Sequence, residues 1–324
     1  MKQVLALLLL LFSLMAGQAQ ESALSDYQGV LFRISGNGLE APSYALGTFH
    51  TIPGDFVHTL PHFEEMMLSV EQLLCEYDYE AQMKELIRQM HSRQQLDSLY
   101  GHIMSLYTDR KGRTRSFLDD LSRKQRDGIK GSLYGWGVDD PALWNFEYLH
   151  RNLDSIYNSS LLRYINASGY DLHEWHQLID FYMMYTIAPA YHLKVIGLDK
   201  QNAVDRFSDM QREYDQFWDP QTTRKQYSRY LGELILLRRG RYAETLLASK
   251  NYLSQDLSFF KDHRDNGSSE MKERNEWWLQ QIPQLLHNKP SIIVVGIGHL
   301  FGGLDYPGIL PELEKMGYII ERIK

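Results

Sequence analysis

Residues Ser291–Leu300 read SIIVVGIGHL. Ile292, Ile293, Val294 and Val295 form a continuous β-branched run, the mark of a strand buried on both faces. The run stops at Gly296, and His299 follows three residues on. Near the other end of the chain, Ser43–His50 reads SYALGTFH: again a strand-like run, a glycine (Gly47), and a histidine three residues later. Glycine lets the backbone turn sharply and lets another group approach closely, so Gly47, Gly296 and Gly298 are read as motif glycines. Residues just past a strand sit at the sheet edge where α/β folds place ligands. Both His50 and His299 therefore qualify for a polar site above strand ends. Two such endings, one near each end of the chain, speak against an accident of loop composition.

The rest of the chain fits around these runs. Gly29–Ser35 reads as a strand, Ser35–Gly38 as a turn, and Tyr44–Phe49 as its hairpin partner leading to His50. Pro61–Ser69 reads as a short helix, and Val70–Tyr77 as a strand that delivers Glu76 near its end. Strand, helix, strand predicts a right-handed crossover with the two strands as parallel neighbours. From about residue 80 to 190 the apolar period is helical: Met83, Leu86, Ile87 and Met90 share one face, as do Leu178, Phe181, Tyr182 and Tyr185. The aromatic residues of this region are read mainly as helix packing. Leu193–Leu198 returns to a strand. Residues 201–287 are helical again, with a break expected in Thr222–Leu247 near Gly240 and a kink in Glu270–His287 at Pro283. Pro307–Met316 is a helix capped by Gly317, and Gly317–Ile323 a last strand. The expected fold is α/β (α+β): a central mixed sheet built from strands of both chain ends, with a large helical insertion at about 80–190, all within a single domain over 20–324.

Composition narrows the function classes. The chain has 324 residues, 44% hydrophobic, with a formal net charge of -7. That is enough for a sizeable core, and it argues against a nucleic-acid surface; no basic patch with interleaved aromatics appears. Arg110, Lys111, Arg113 and Arg115 read as a solvated loop. Residues 1–19 have the form of a secretory leader, with Lys2, an apolar Val4–Met15 and small residues before a cut after Ala19. A secreted or periplasmic location is expected, with no membrane span after cleavage. The single cysteine, Cys75, allows no internal disulfide and reads as a small buried side chain.

The two endings GTFH and GIGH, with Glu76 in LLCEYD, resemble the TraB/GumN family, which includes the Tiki metalloproteases. Three further stretches resemble that family: Val195–Gln201 (VIGLDKQ) at its GLE-type segment, Arg274-Asn275 in its Arg-Asn helix, and Gly317–Ile323 as its closing strand. Asp199 stands where the family has glutamate, one methylene shorter. The resemblance implies an exported metal-dependent hydrolase, acting on a peptide or small-molecule substrate. By that likeness His50 and His299 would be metal ligands, and Glu76 a ligand or general base. Arg274 would bind a substrate carboxylate or steady an oxyanion, with Asn275 beside it in the substrate site; a buried salt bridge tying its helix to the sheet is the other reading of Arg274.

The chemistry is consistent with those roles. Imidazole binds transition metals well and a carboxylate is a common third ligand, so Zn, Mn or Co would each suit His50, His299 and Glu76. A metal-bound water ionises near neutral pH. There is no His-Glu-x-x-His helix, so a zincin site is not expected. Two other classes stay open. One is a metal-independent hydrolase of esterase type, with His50 as the base oriented by Glu76. The other is a non-catalytic protein that binds a peptide or pheromone-like ligand. His173 and His176, three apart on a possible helix, offer a second metal pair of lesser standing.

Overall fold

A computed structural model describes residues 29–77, 101–172, 178–199, 221–257, 269–303 and 305–324. The expected leader, the Met83–Met90 helical face and the His173/His176 pair lie outside them. The chain divides into two compact units, residues 1–78, 176–199 and 248–324 forming one and residues 79–175 and 200–247 the other.

The first unit is an α/β structure on a six-stranded mixed sheet. Its strands are β1 (Leu31–Gly36), β2 (Ser43–Thr48), β3 (Gln72–Cys75), β4 (Lys194–Gly197), β5 (Ser291–Gly296) and β6 (Tyr318–Arg322), in the order β4-β3-β5-β2-β1-β6. The hairpin forms as the turn residues require, with β1 antiparallel to β2. β6 closes the sheet antiparallel to β1. In one respect the expected topology is corrected. β2 and β3 are not neighbours; β5 lies between them and pairs in parallel with both. The apolar run explains why. Every residue of β5 is buried, and each Ile or Val is worth roughly 1.5–3 kcal/mol when fully buried, so the most apolar strand takes the middle of the sheet. β4 pairs in parallel with β3 at the other edge.

Helices α1 (Phe63–Ser69), α2 (Ile179–Tyr182), α3 (Ser269–Leu279), α4 (Ile282–Asn288), α5 (Ile297–Phe301) and α6 (Ile309–Lys315) accompany the sheet. A π-helical turn, Met183–Ile187, continues α2. Pro283 does not kink one helix; it begins a second, at the first turn of α4 where its missing N–H costs nothing. Trp278, Ile282, Leu286, Leu310 and Leu313 pack with Phe32, Ile34, Ile293 and Val295 into one core. The helix Arg224–Leu253 is continuous through Gly240, where a break was expected.

The second unit is helical in its described parts, with helices Arg123–Gly135 and Phe146–Asn166. Trp136, Trp144, Phe146, Tyr157 and Tyr227 are in its core, as packing residues. Arg110, Lys111, Arg113 and Arg115 are exposed, as a solvated loop should be. No helix among the described residues is long and apolar enough to cross a membrane.

Candidate active site

Four parallel strands end on one edge of the sheet: β2 at Thr48, β3 at Cys75, β4 at Gly197 and β5 at Gly296. The next residues of each carry the polar groups. His50 comes after β2, Glu76 after β3 and Asp199 after β4, while His299 sits in α5, which Gly296 begins. The β3–β4 ladder continues past the strands, with Asp199 N donating to Glu76 O at 2.9 Å.

Gly296 is where the site closes up. Its φ is -51°, so the glycine is not needed for a turn. It is needed for space. A β-carbon there would lie 3.3 Å from Glu76 Oε1, 3.6 Å from His299 Cδ2 and 3.7 Å from His50 Nε2. Its backbone N–H donates to Glu76 Oε1 at 2.8 Å. Gly47 serves similarly, since a β-carbon on it would meet Leu300 Cδ1 at 3.0 Å and Ile297 Cγ1 at 3.1 Å. Both motif glycines let α5 and the strand ends come together; Gly298, by contrast, has only ordinary contacts at 3.5 Å.

Each imidazole is held by its Nδ1. His50 Nδ1 donates to Asp180 Oδ2 at 2.7 Å, and Thr48 Oγ1 donates to Asp180 Oδ1 at 2.5 Å. His299 Nδ1 meets Asn275 Oδ1 at 2.6 Å. The Asn275 amide nitrogen donates to the carbonyls of His299 and Pro307, at 3.1 and 2.7 Å, which fixes its orientation. Nδ1 of His299 is therefore a donor. Its Nε2 faces Arg274 Nη1 at 3.2 Å. A guanidinium can only donate, so the contact with Arg274 uses Nε2 as an acceptor, while Glu76 Oε1 lies 4.0 Å from the same nitrogen.

Residues 250–322, which include Arg274, Asn275 and His299, match the TraB/PrgY/gumN family. No curated protein and no solved structure matches the chain. His50, Glu76 and Asp180 lie outside the matched segment, so their place in the site rests on the hydrogen bonds and the Gly296 contacts.

Arg274 ties the family segment to the rest. Its Nε and Nη2 reach Asp199 Oδ1 and Oδ2 at 3.0 and 3.1 Å, and Nη2 also reaches Glu76 Oε2 at 2.6 Å. Its guanidinium lies over the Trp278 ring at 4.6 Å, and Trp278 Nε1 donates to Asp199 Oδ1 at 2.9 Å. Both oxygens of Asp199 thus reach the guanidinium. Burial works against the charge of Glu76, but Arg274, then His299, the Gly296 N–H and His50 outweigh it and bring the carboxyl down to about 2. Burial likewise opposes the charge of Arg274, and Glu76 and Asp199 more than compensate.

A divalent metal would need three inner donors. His50 Nε2 and Glu76 Oε1 border the same space beside Gly296, but His299 Nε2 is already taken by a guanidinium that also holds Glu76. Among the described residues no group of three or more His, Cys, Asp and Glu is placed to hold a metal ion. The expected set His50, His299 and Glu76 does not fit a metal as Arg274 stands. Asn275, expected near substrate, is fully buried and has its amide engaged by His299 and Pro307. Tyr252 braces the first motif, its hydroxyl donating to Gly47 O at 2.6 Å. Asp180 and Tyr252 were missed from sequence. The one signal for Asp180 was an acid within the apolar run Leu178–Met184.

An open cleft lies over these groups, and His50, Glu76 and Asp180 line it. Cys75 lies at its edge, with its Sγ donating to Tyr77 O at 3.0 Å.

Proposed function

We propose that this TraB/PrgY/gumN chain is an exported hydrolase that activates water in the cleft and cuts peptides. One observation carries the reading: His50, Glu76 and His299, from three separate stretches of chain, converge on the space that the missing side chain of Gly296 leaves. The Lys2-led apolar N-terminus supports export.

His50 is the proton carrier. Its Nδ1–H is fixed by Asp180, so Nε2 is the atom presented to a water, and the carboxylate steadies the imidazolium once a proton is taken. That hydrogen bond outweighs burial and lifts the imidazole to about 9. The neutral base is therefore scarce at pH 7, and kcat/KM climbs with pH toward about 9. The alternative in which Glu76 orients His50 is replaced by one in which Asp180 does. Glu76, ionised and held by Arg274 and Gly296, supplies fixed negative charge beside the imidazole. Arg274 fixes Glu76 and His299, and its guanidinium is a cation behind them for charge developing on the substrate oxygen.

A metal-dependent version has one observation in its favour. Both imidazoles have Nδ1 anchored by an acceptor and turn Nε2 inward, as metal-bound histidines do. It requires Arg274 to release His299 Nε2.

The test uses the purified exported chain and pools of internally quenched peptides, with and without EDTA, beside His50→Ala. Turnover that survives EDTA and disappears in His50→Ala is expected. Turnover lost to EDTA and restored by Zn, Mn or Co moves the conclusion to the metal version. Peptides bound by the wild-type chain but never cut would make it a binding protein.

A further inference from the structure

We infer that the cleft beside His50 is a recognition pocket for one apolar side chain of a peptide, aromatic or branched aliphatic, next to the bond that is cut. This deepens the hydrolase reading and rests on it for the words about cutting.

The walls divide into two kinds. The polar groups, His50, Glu76 and Asp180, are already engaged. Glu76 is held by Arg274 and the Gly296 N–H, and Asp180 by Thr48 and His50. What they leave toward the cleft is the His50 Nε2 edge, which the reaction uses. The remaining described walls are Tyr77, Leu178, Phe181, Met184 and Val294, beside Cys75. A polar substrate side chain would lose water there and find few partners, at a cost. An acidic one would lose still more water and face two carboxylates against the one His50 imidazolium.

One stretch of chain builds both halves. Asp180 and Phe181 are in α2, and Met184 lies in the π-helical turn that begins at Met183. Such turns re-aim side chains and recur at functional sites. Here Phe181 and Met184 line the same cleft as Asp180, while Tyr182 points elsewhere, to His58 Nε2 at 2.9 Å. The apolar wall is thereby set at a fixed offset from the imidazole that Asp180 holds.

The experiment has two arms. The first measures kcat/KM on four quenched peptides that differ at one residue: Phe, Leu, Ser or Asp. Phe and Leu should exceed Ser by roughly 10- to 100-fold, with Asp lowest, and Phe181→Ser should shrink the Phe-to-Ser ratio. The second titrates N-acetyl-phenylalanine amide and N-acetyl-serine amide into the His50→Ala protein by NMR. The Phe compound should bind at least about 10-fold tighter. Preference in both arms is the expected result. Apolar preference in binding with no turnover by wild type keeps the pocket and overturns the hydrolase reading. Turnover that is indifferent to Phe, Leu and Ser, with equal binding of the two amides, overturns the pocket and leaves the hydrolase standing.

Discussion

The two Gly-x-x-His endings share a spelling and differ in almost every physical respect. The His50 side chain is 62% exposed and answers to Asp180. The His299 side chain is 4% exposed, stacked near Trp278 at 4.5 Å between ring centres, with both nitrogens engaged. One imidazole has an edge facing the cleft; the other is part of the framework. The difference lies in the path of the chain past each glycine. After Gly296 the chain enters α5, which turns His299 down onto α3. After Gly47 it continues one more residue as strand, then leaves the sheet, and His50 stays at the rim. A motif repeated in sequence is thus no guarantee of a repeated role.

The largest effect should come from the residue that joins the two halves. Arg274→Met removes the cation from between Glu76 and Asp199 and leaves two buried carboxylates without it. Breaking a buried pair in this way costs roughly 3–5 kcal/mol. Urea unfolding should show that loss, and turnover should fall with it. Adding Glu76→Gln and Asp199→Asn should recover part of the stability and none of the activity. An Arg274→Met protein as stable as wild type would mean the guanidinium is not the tie between the two carboxylates.

Next come the histidines themselves. His50→Ala should lower kcat/KM by about 10²–10⁴-fold and cost less stability than His299→Ala, because what is lost is a largely exposed ring and its solvent-screened pairing with Asp180. His299→Ala should cost roughly 2–4 kcal/mol, from a cavity beside Trp278 and the unpaired Asn275 and Arg274 groups. Equal stability losses in the two variants would erase the contrast drawn between them.

Much of this was legible in the sequence, for local reasons. The β5 run, the hairpin, the two histidines and Glu76 at a strand end can all be read from alternation, turn residues and apolar runs. What was not legible is non-local. That β5 inserts between β3 and β2 depends on competition among strands far apart in the chain. That Asp180 holds His50 depends on a contact spanning 130 residues. Asp199 has a side chain one methylene shorter than glutamate, yet β4 brings it close enough for both oxygens to reach Arg274. The metal reading looked complete as a set of residue types. That Arg274 Nη1 lies against His299 Nε2 cannot be read from residue types.

Acid should act on the buried half. Glu76 is at about 2 in the folded chain against an ordinary value of 4.5. A depressed carboxyl stabilises the fold above its unfolded pKa, and that contribution is lost as pH falls toward about 2. Its size is on the order of 3 kcal/mol. Stability measured from pH 6 down to pH 2 should therefore decline more steeply in wild type than in Glu76→Gln. Parallel curves for the two proteins would show that Glu76 carries no such linkage.

The smallest effect tests the exposed half. Thr48 is buried, and its hydroxyl donates to Asp180 Oδ1. That bond leaves Oδ2 of Asp180 for His50. Thr48→Val keeps the shape and deletes the donor, leaving a carboxylate oxygen short of one partner. The stability cost should be about 1 kcal/mol. The catalytic cost should be below about 10-fold and appear in kcat rather than KM, because Thr48 does not line the cleft and acts only through Asp180 and His50. Thr48→Ser restores the donor and should restore kcat. If Val and Ser behave alike, the hydroxyl does not position Asp180, and the orientation of His50 must come from the backbone of β2 alone.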